Sequence, residues 1–227
     1  MSNTLEVQFS LRGKTLPADH GYALYSCLKR LLKADDYSPE LRAKLLDEDS
    51  FAPEVLLSSI PGVPDRNGTI FLNRESRFRL RCPAAQAQYW YQGLQNRVLD
   101  LNGHMIRLIQ PRLTLPRPSA VLKARLVVFK LERWNTHEAP HYFLESCQKA
   151  LAHLEIQGQV FIDSNADGDL ALRALKVKDK QILGFGVVIE GLQSEDSTKL
   201  QCLGLGGRKH FGCGWFYPAE KEVSNAA

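Results

Sequence analysis

The sequence lacks any apolar run near the roughly 20 residues that a membrane-spanning helix requires. It also lacks a CxxC pair. Its five cysteines, at 27, 82, 147, 202 and 213, are odd in number and scattered, so neither a disulfide framework nor a thiolate zinc site is expected. The opening MSNTLEVQFS has no basic segment followed by an apolar one, which argues against a secretory leader. A reduced, cytoplasmic setting without membrane attachment is expected. No internal repeat is evident. What is present is 227 residues with 44% hydrophobic and 24% charged side chains. That length suffices for one large domain or two of about 100 residues, and the apolar content argues against bulk disorder.

The net charge of +4 conceals an asymmetry. Arg66 to Arg133 holds 13 Lys or Arg against three acids, net +10, while the rest holds 16 against 22, net −6. Clustered cations of this kind suit a polyanion, because they release counterions from phosphates. The plainer reading is a set of solvated strand faces.

Leu5 to Leu11 alternates apolar and polar residues, the period of a half-buried strand. Leu24, Cys27, Leu28, Leu31 and Leu32 then recur at helical spacing, with Asp19 placed as an N-cap. A polar, partly helical stretch covers Pro39 to Leu57. Strands are expected at Thr69–Leu72, Ser76–Arg81 and His104–Ile109, with a helix over Ala84–Val98. The order β-α-β-β-α-β is that of a ferredoxin-like unit. Pro111, Pro116 and Pro118 should stop ladders and helices alike, which divides the chain into domains at 1–112 and 113–227. The second half begins again with a strand, Val121–Leu131, and a helix, Ala139–Leu154. Strands follow at Gln159–Ile162, Leu170–Val177 and Ile182–Ile189, and its last elements are indistinct. The expected fold is α+β: two tandem ferredoxin-like, RRM-like domains with antiparallel sheets. Such sheets commonly bind RNA.

Gly204-Leu205-Gly206-Gly207-Arg208-Lys209-His210-Phe211-Gly212-Cys213-Gly214 places five glycines in eleven residues. Their amides can approach an anion, with Arg208 and Lys209 adding charge. The alternative is a tight irregular turn before an edge strand. The segment holds no Gly-Lys-Ser/Thr, and Lys209 stands where a dinucleotide-binding turn needs its third glycine.

Asp163 to Asp169 matches the first half of a calcium loop, but Ala174 occupies the position of the bidentate Glu, so a hairpin turn is the better reading. His137 and His141, four apart, lack further zinc ligands. Asp35-Asp36 and Asp47-Glu48-Asp49 could hold Mg²⁺, but a solvated face accounts for them. No metal or cofactor is expected. His20 lies just inside the expected helix start. The helix dipole there disfavours imidazolium, leaving a neutral proton acceptor at an end that attracts phosphate. A structural histidine is the competing reading.

The leading strand, the segment Leu16-Pro17-Ala18-Asp19-His20-Gly21-Tyr22-Ala23-Leu24-Tyr25 and the closing GLGGRKHFGCGWFYP together resemble the CRISPR-associated repeat-RNA endoribonucleases, in the branch found with myxan-type class 1 systems. The resemblance covers nearly the whole chain. It implies two ferredoxin-like domains, binding of the CRISPR repeat RNA and its crRNA hairpin, and metal-independent cleavage by the RNA's own 2′-hydroxyl. The products would be a 2′,3′-cyclic phosphate and a 5′-hydroxyl. It also implies His20 as general base or acid, with Tyr25 or Tyr22 assisting, and Gly206, Gly207, Arg208 and Lys209 at the RNA. The basic stripe of Arg77, Arg79, Arg81, Arg107, Arg112, Arg117, Lys123 and Arg125 would grip phosphates. Other subunits of a CRISPR effector complex are the implied protein partners. A non-catalytic RNA-binding subunit, or an unrelated nucleotide-binding enzyme using the glycine loop, are the alternatives.

Overall fold

Alternation decides the first strand. In β1 (Thr4–Arg12) Val7 and Phe9 are fully buried, while Gln8, Ser10 and Arg12 point to the opposite face. The computed structural model describes residues 3–34, 37–47, 50–130, 138–165 and 167–219. The N-terminal half continues with β2 (Thr15–Pro17), α1 (Gly21–Lys33), α2 (Pro39–Leu45), β3 (Leu56–Leu57), β4 (Val63–Pro64), β5 (Thr69–Phe71), β6 (Arg77–Pro83), α3 (Ala84–Leu94), β7 (Val98–Leu101) and β8 (His104–Thr114). The C-terminal half comprises β9 (Leu122–Val127), α4 (Ala139–His153), β10 (Gln159–Ile162), β11 (Leu172–Val177), β12 (Lys180–Glu190), α5 (Ser194–Leu203), a 3-10 turn (Lys209–Phe211) and β13 (Phe216–Pro218).

The two main sheets run β3-β6-β1-β8-β7 and β10-β12-β9-β13, all antiparallel. Numbered as strand-helix-strand-strand-helix-strand units, both have the spatial order 2-3-1-4, with β7 as an added edge in the first. Two tandem ferredoxin-like folds result. Each sheet has its own core. One gathers Leu24, Leu28, Phe78, Trp90 and Leu108; the other gathers Leu122, Phe143, Cys147, Val187 and Phe216. A separate sheet, β2-β5-β4, is inserted into the first unit. The expected strand at Thr69 belongs to this flap and not to the main sheet.

Three further differences have local causes. Strand β8 passes through Pro111, where the ladder was expected to end. Ser10 pairs with Ile109 and Gln8 with Arg112, so Gln110 and Pro111 together oppose one residue. This is a bulge, with Gln110 at φ +48°, and a bulge is where a strand tolerates the missing N–H. The N-terminal sheet therefore extends past residue 112. Asp19 does not cap α1: His20 holds that position, and an Asp19 carboxylate oxygen accepts the Lys176 N–H at 2.6 Å, tying α1's entry to β11. Helix α5 was not expected. Its face is mostly polar, and its marks are Glu195 and Asp196 in the first turn and Gly204 at φ +63° after the last. Ser164 bridges Leu170 as in a hairpin, and Asn165 Oδ1 accepts the N–H groups of Asp167 and Asp169 at 2.9 Å, which agrees with the turn expected there.

Arg81 joins the two halves. It is only 2% exposed. Nε donates to Glu6 at 3.0 Å, Nη1 donates to the carbonyls of Gln201 and Phe216 at 2.8 Å each, and the guanidinium lies 3.9 Å from the Trp215 ring centroid. Among the described residues no helix is long and apolar enough to cross a membrane.

Candidate functional site

The start of α1 meets the glycine-rich segment. Gly21 is required there: a Cβ on it would lie 2.1 Å from the Phe211 carbonyl oxygen. One residue earlier, His20 is 2% exposed. Its Nδ1 lies 2.8 Å from the Pro17 carbonyl, to which it must donate, and Nε2 accepts the Ile60 N–H at 2.9 Å. The ring is thus the neutral Nδ1–H tautomer with both nitrogens committed to backbone. Burial lowers its pKa to about 4; the bond to Pro17 opposes this and the Arg125 charge adds to it. The expected proton acceptor facing a groove is instead an internal strut. It ties the entry of α1 to the chain just before β4. Accepting a proton would cost the Ile60 bond inside a dry interior.

Tyr25 does not meet His20; it stacks on His210. The two rings lie 5.9 Å apart, within 6° of parallel. Phe211 meets Tyr25 edge-on at 4.9 Å, and Phe51 packs against both Tyr25 (5.2 Å) and His210 (5.6 Å). The Tyr25 hydroxyl bonds the Ser50 hydroxyl at 3.2 Å. His210 is half-buried, and its Nε2 donates to the Ala52 carbonyl at 3.1 Å, which leaves Nδ1 as the ring's lone-pair nitrogen. Burial lowers its pKa; the Ala52 bond opposes this and the Lys209 charge reinforces it. Tyr22, Tyr25, Ser26, Lys29, Arg30 and Lys33 line a groove of about 540 Å³ along the exposed side of α1, so Tyr25 belongs both to this groove and to the stack with His210.

The glycine-rich segment spends its backbone on itself. Gly204, Gly206, Gly212 and Gly214 all have positive φ, and a Cβ on Gly214 would lie 2.2 Å from the Leu205 carbonyl oxygen. Gly207 N–H donates to the Val128 carbonyl at 2.9 Å and Gly214 N–H to Leu126 at 2.8 Å. The expected cradle of amides at Gly206 and Gly207 loses Gly207, whose amide is bonded, and a Cβ on Gly206 would lie 2.6 Å from the Val128 carbonyl oxygen. Lys209 Nζ donates to the Leu203 carbonyl at 2.6 Å, capping α5 and not facing outward as expected. Arg208, at φ +60°, is exposed, its guanidinium 5.9 Å from the Phe211 ring.

The basic stripe divides in two. Arg77, Arg79 and Arg112 lie on the open face of the N-terminal sheet, Gln8 being paired with Arg79 on one side and Arg112 on the other. Arg12 and Arg107 pair farther along it. Arg81 shares that face but is consumed by the clasp, which removes it from the stripe. Arg117 is exposed in the connector, while Lys123 and Arg125 belong to the other sheet. Lys123 lies 3.7 Å from Asp163, and Arg125 Nη2 reaches the Ala18 carbonyl at 3.5 Å. His137 and the acids at 35, 36, 48 and 49 fall outside the described residues.

Residues 5–221 match the family model described as Cas6, Cas6 Crispr. The chain belongs to the Cas6 family. Among its Cas6 relatives, the CRISPR-associated endonuclease Cas6 of Myxococcus xanthus (strain DK1622) is 31% identical over 214 residues, 94% of this chain and 81% of that protein. A solved CRISPR associated protein Cas6 superposes with a TM-score of 0.66 at 12% identity, covering 96% of this chain and 100% of that one. A Cas6-related protein from Pyrococcus furiosus gives 0.64, also at 12% identity, over 96% and 100%. These two likenesses show the Cas6 fold. Sequence reasoning treated His210 only as part of a glycine run. The signal that marks it is a histidine flanked by Arg208-Lys209 on one side and an aromatic on the other, inside a segment whose glycines force it against α1.

Proposed function

We propose that the chain binds CRISPR repeat RNA and cleaves the precursor transcript into crRNAs without a metal ion. The 2′-oxygen beside the scissile bond attacks the adjacent phosphorus. Its proton passes to a base, the P–O5′ bond breaks, and the departing 5′-oxygen takes a proton. A 2′,3′-cyclic phosphate and a 5′-hydroxyl result. The observation that carries this reading, in a chain of the Cas6 family, is the half-buried neutral imidazole of His210 stacked on Tyr25, a residue that also lines a groove with Lys29 and Arg30. A neutral imidazole accepts a proton near pH 7, and His210 Nδ1 is the atom assigned to that step. Tyr25 holds the ring's plane. Arg208, beside the Phe211 ring, and Lys29, beside the Tyr25 ring, are the cations assigned to counter charge on the pentacoordinate phosphorus. The arginine face of the N-terminal sheet takes duplex phosphates of the repeat hairpin. A product hairpin kept on that face would carry the chain into a complex with other effector subunits.

The test is incubation with the repeat RNA of the same genome in EDTA, with both product ends mapped. Cyclic phosphate and 5′-hydroxyl ends support the reading, and their loss in His210→Ala with RNA binding retained supports the residue. Full cleavage by His210→Ala removes His210 from the reaction. Tight binding with intact RNA in the unaltered protein establishes the second reading, a non-catalytic RNA-binding subunit, which the committed nitrogens of His20 favour.

A further inference from the structure

The glycine-rich segment leaves α5 and returns to β13 through a narrow neck. There a Cβ on Gly204 would lie 2.7 Å from the Gly214 carbonyl oxygen, so the two ends of the segment are in contact, as in a closed loop. Within it, Lys209 Nζ caps the Leu203 carbonyl. The Gly207 and Gly214 N–H groups tie it to the carbonyls of Val128 and Leu126. All of these bonds belong to the C-terminal half. The tip meets the other half: His210 stacks on Tyr25 of α1 and donates to the Ala52 carbonyl.

Arg81 joins the neck to the half that holds Tyr25. From β6, its Nη1 donates to the carbonyl of Gln201, in the last turn of α5, and to that of Phe216, at the start of β13. Residues 202–215 lie between these acceptors, so one nitrogen grips the chain just before and just after the glycine-rich segment. Nη2 lies 3.4 Å from Gln201 Oε1, and Gln201 Nε2 in turn donates to the Arg117 carbonyl in the connector at 2.7 Å. Gln201 is fully buried. Apolar contact would hold two halves together without the hydration that a buried guanidinium gives up. What the planar fork adds is direction: it meets carbonyls from two elements while its plane lies on the Trp215 indole, which an ammonium cannot reproduce. With the neck fixed to β6 and the tip seated on α1, His210 is referred to the N-terminal half at two points.

We propose that Arg81 is a positioning residue for cleavage: by gripping both ends of the glycine-rich segment it sets the place of the His210 ring against Tyr25. This rests on the assignment of His210 to proton transfer and adds the group that orients it. At 2% exposed, Arg81 itself has no access to RNA.

The test separates placement from stability. Arg81→Lys keeps a charge beside Glu6 but loses the fork and the stack. Val160→Ala trims a buried side chain on β10, the strand farthest from β13 along that sheet, and serves as a destabilised control. Each is measured for single-turnover cleavage of repeat RNA in EDTA, for RNA affinity by fluorescence anisotropy, for urea midpoint, and for the nuclear Overhauser contact between the Tyr25 and His210 rings. Arg81→Lys is expected to cut at least tenfold more slowly, the scale of a small misplacement of a reacting group. Its affinity should stay within threefold, and its ring-to-ring contact should weaken. Val160→Ala should keep the unaltered rate and contact at its lower midpoint. Where Arg81→Lys does not fold, Trp215→Leu removes the ring under the guanidinium and leaves both carbonyl bonds; a smaller loss of rate with the same weakened contact is expected. A rate within twofold in the folded clasp variant, an intact ring contact beside a lowered rate, or an equal loss of rate in Val160→Ala overturns the proposal. If the unaltered protein leaves repeat RNA uncut, the cleavage reading fails and the ring contact alone decides: its loss in the folded clasp variant upholds the placement, and its persistence overturns it.

Discussion

Two histidines sit at the junction of α1 with the glycine-rich segment, and they are built for different work. His20 is sealed, its two nitrogens held by Pro17 and Ile60. His210 is half-exposed, one nitrogen anchored on Ala52 and its ring laid against Tyr25. Both are neutral at physiological pH for the same reason, loss of water around the charged form. Neutrality alone therefore does not identify a proton carrier. What separates the two is whether a lone pair is left for a substrate. The two sheets repeat the lesson, since one strand order supports an arginine face in the N-terminal half and a face that sets Lys123 beside Asp163 in the other.

The largest effect should come from His210→Ala. Removing a general acid or base lowers the rate by about 10²–10⁴-fold. Single-turnover cleavage of repeat RNA measures it, and the comparison breaks if His20→Gln loses as much rate while folding normally. Next is Arg81→Ala. It removes the closer of two cations from the buried Glu6, leaving Arg79 at 3.7 Å, and opens the clasp to Gln201 and Phe216, for a loss of about 3 kcal/mol, read as a lower urea midpoint.

A third expectation concerns acid. The folded-state pKa of His20, about 4, lies below its ordinary 6.5. The unfolded chain therefore binds more protons between these values, and stability falls as pH drops from 6.5 toward 4. This histidine's share of that loss is about 3 kcal/mol, with His20→Gln flattening the profile by that amount in urea titrations across the window. The smallest effect concerns the arginine face of the N-terminal sheet. Arg107→Ala with Arg112→Ala, both exposed on the arginine face, should reduce the salt slope of hairpin binding by about two, with little change for unstructured RNA. An equal reduction for both ligands removes the preference of that face for the paired stem.

Much of the fold could be read from local pattern. Alternation in Leu5–Leu11 and the helical spacing of Leu24 to Leu32 became β1 and α1, because each pattern permits one apolar face in one geometry. Helix α5 escaped notice because Leu200 and Cys202 are among the few apolar residues it buries, too few to show a stripe. Pro111 misled because a bulge depends on the partner strand, which lies a hundred residues away in the chain. At the candidate site, the family resemblance implies Tyr25 as an assistant to His20, yet the ring it stacks on is that of His210, from the far end of the chain.

Two helix-and-sheet units, a cationic middle and a glycine-rich segment that must turn sharply all follow from residue type and short-range spacing. Which cations and which imidazole remain open to a ligand depends on long-range packing. Arg81 spends its charge on carbonyls 120 and 135 residues away, and His210 finds its anchor 158 residues back. Burial and hydrogen-bond occupancy are set by what folds over a group, and no local periodicity records that.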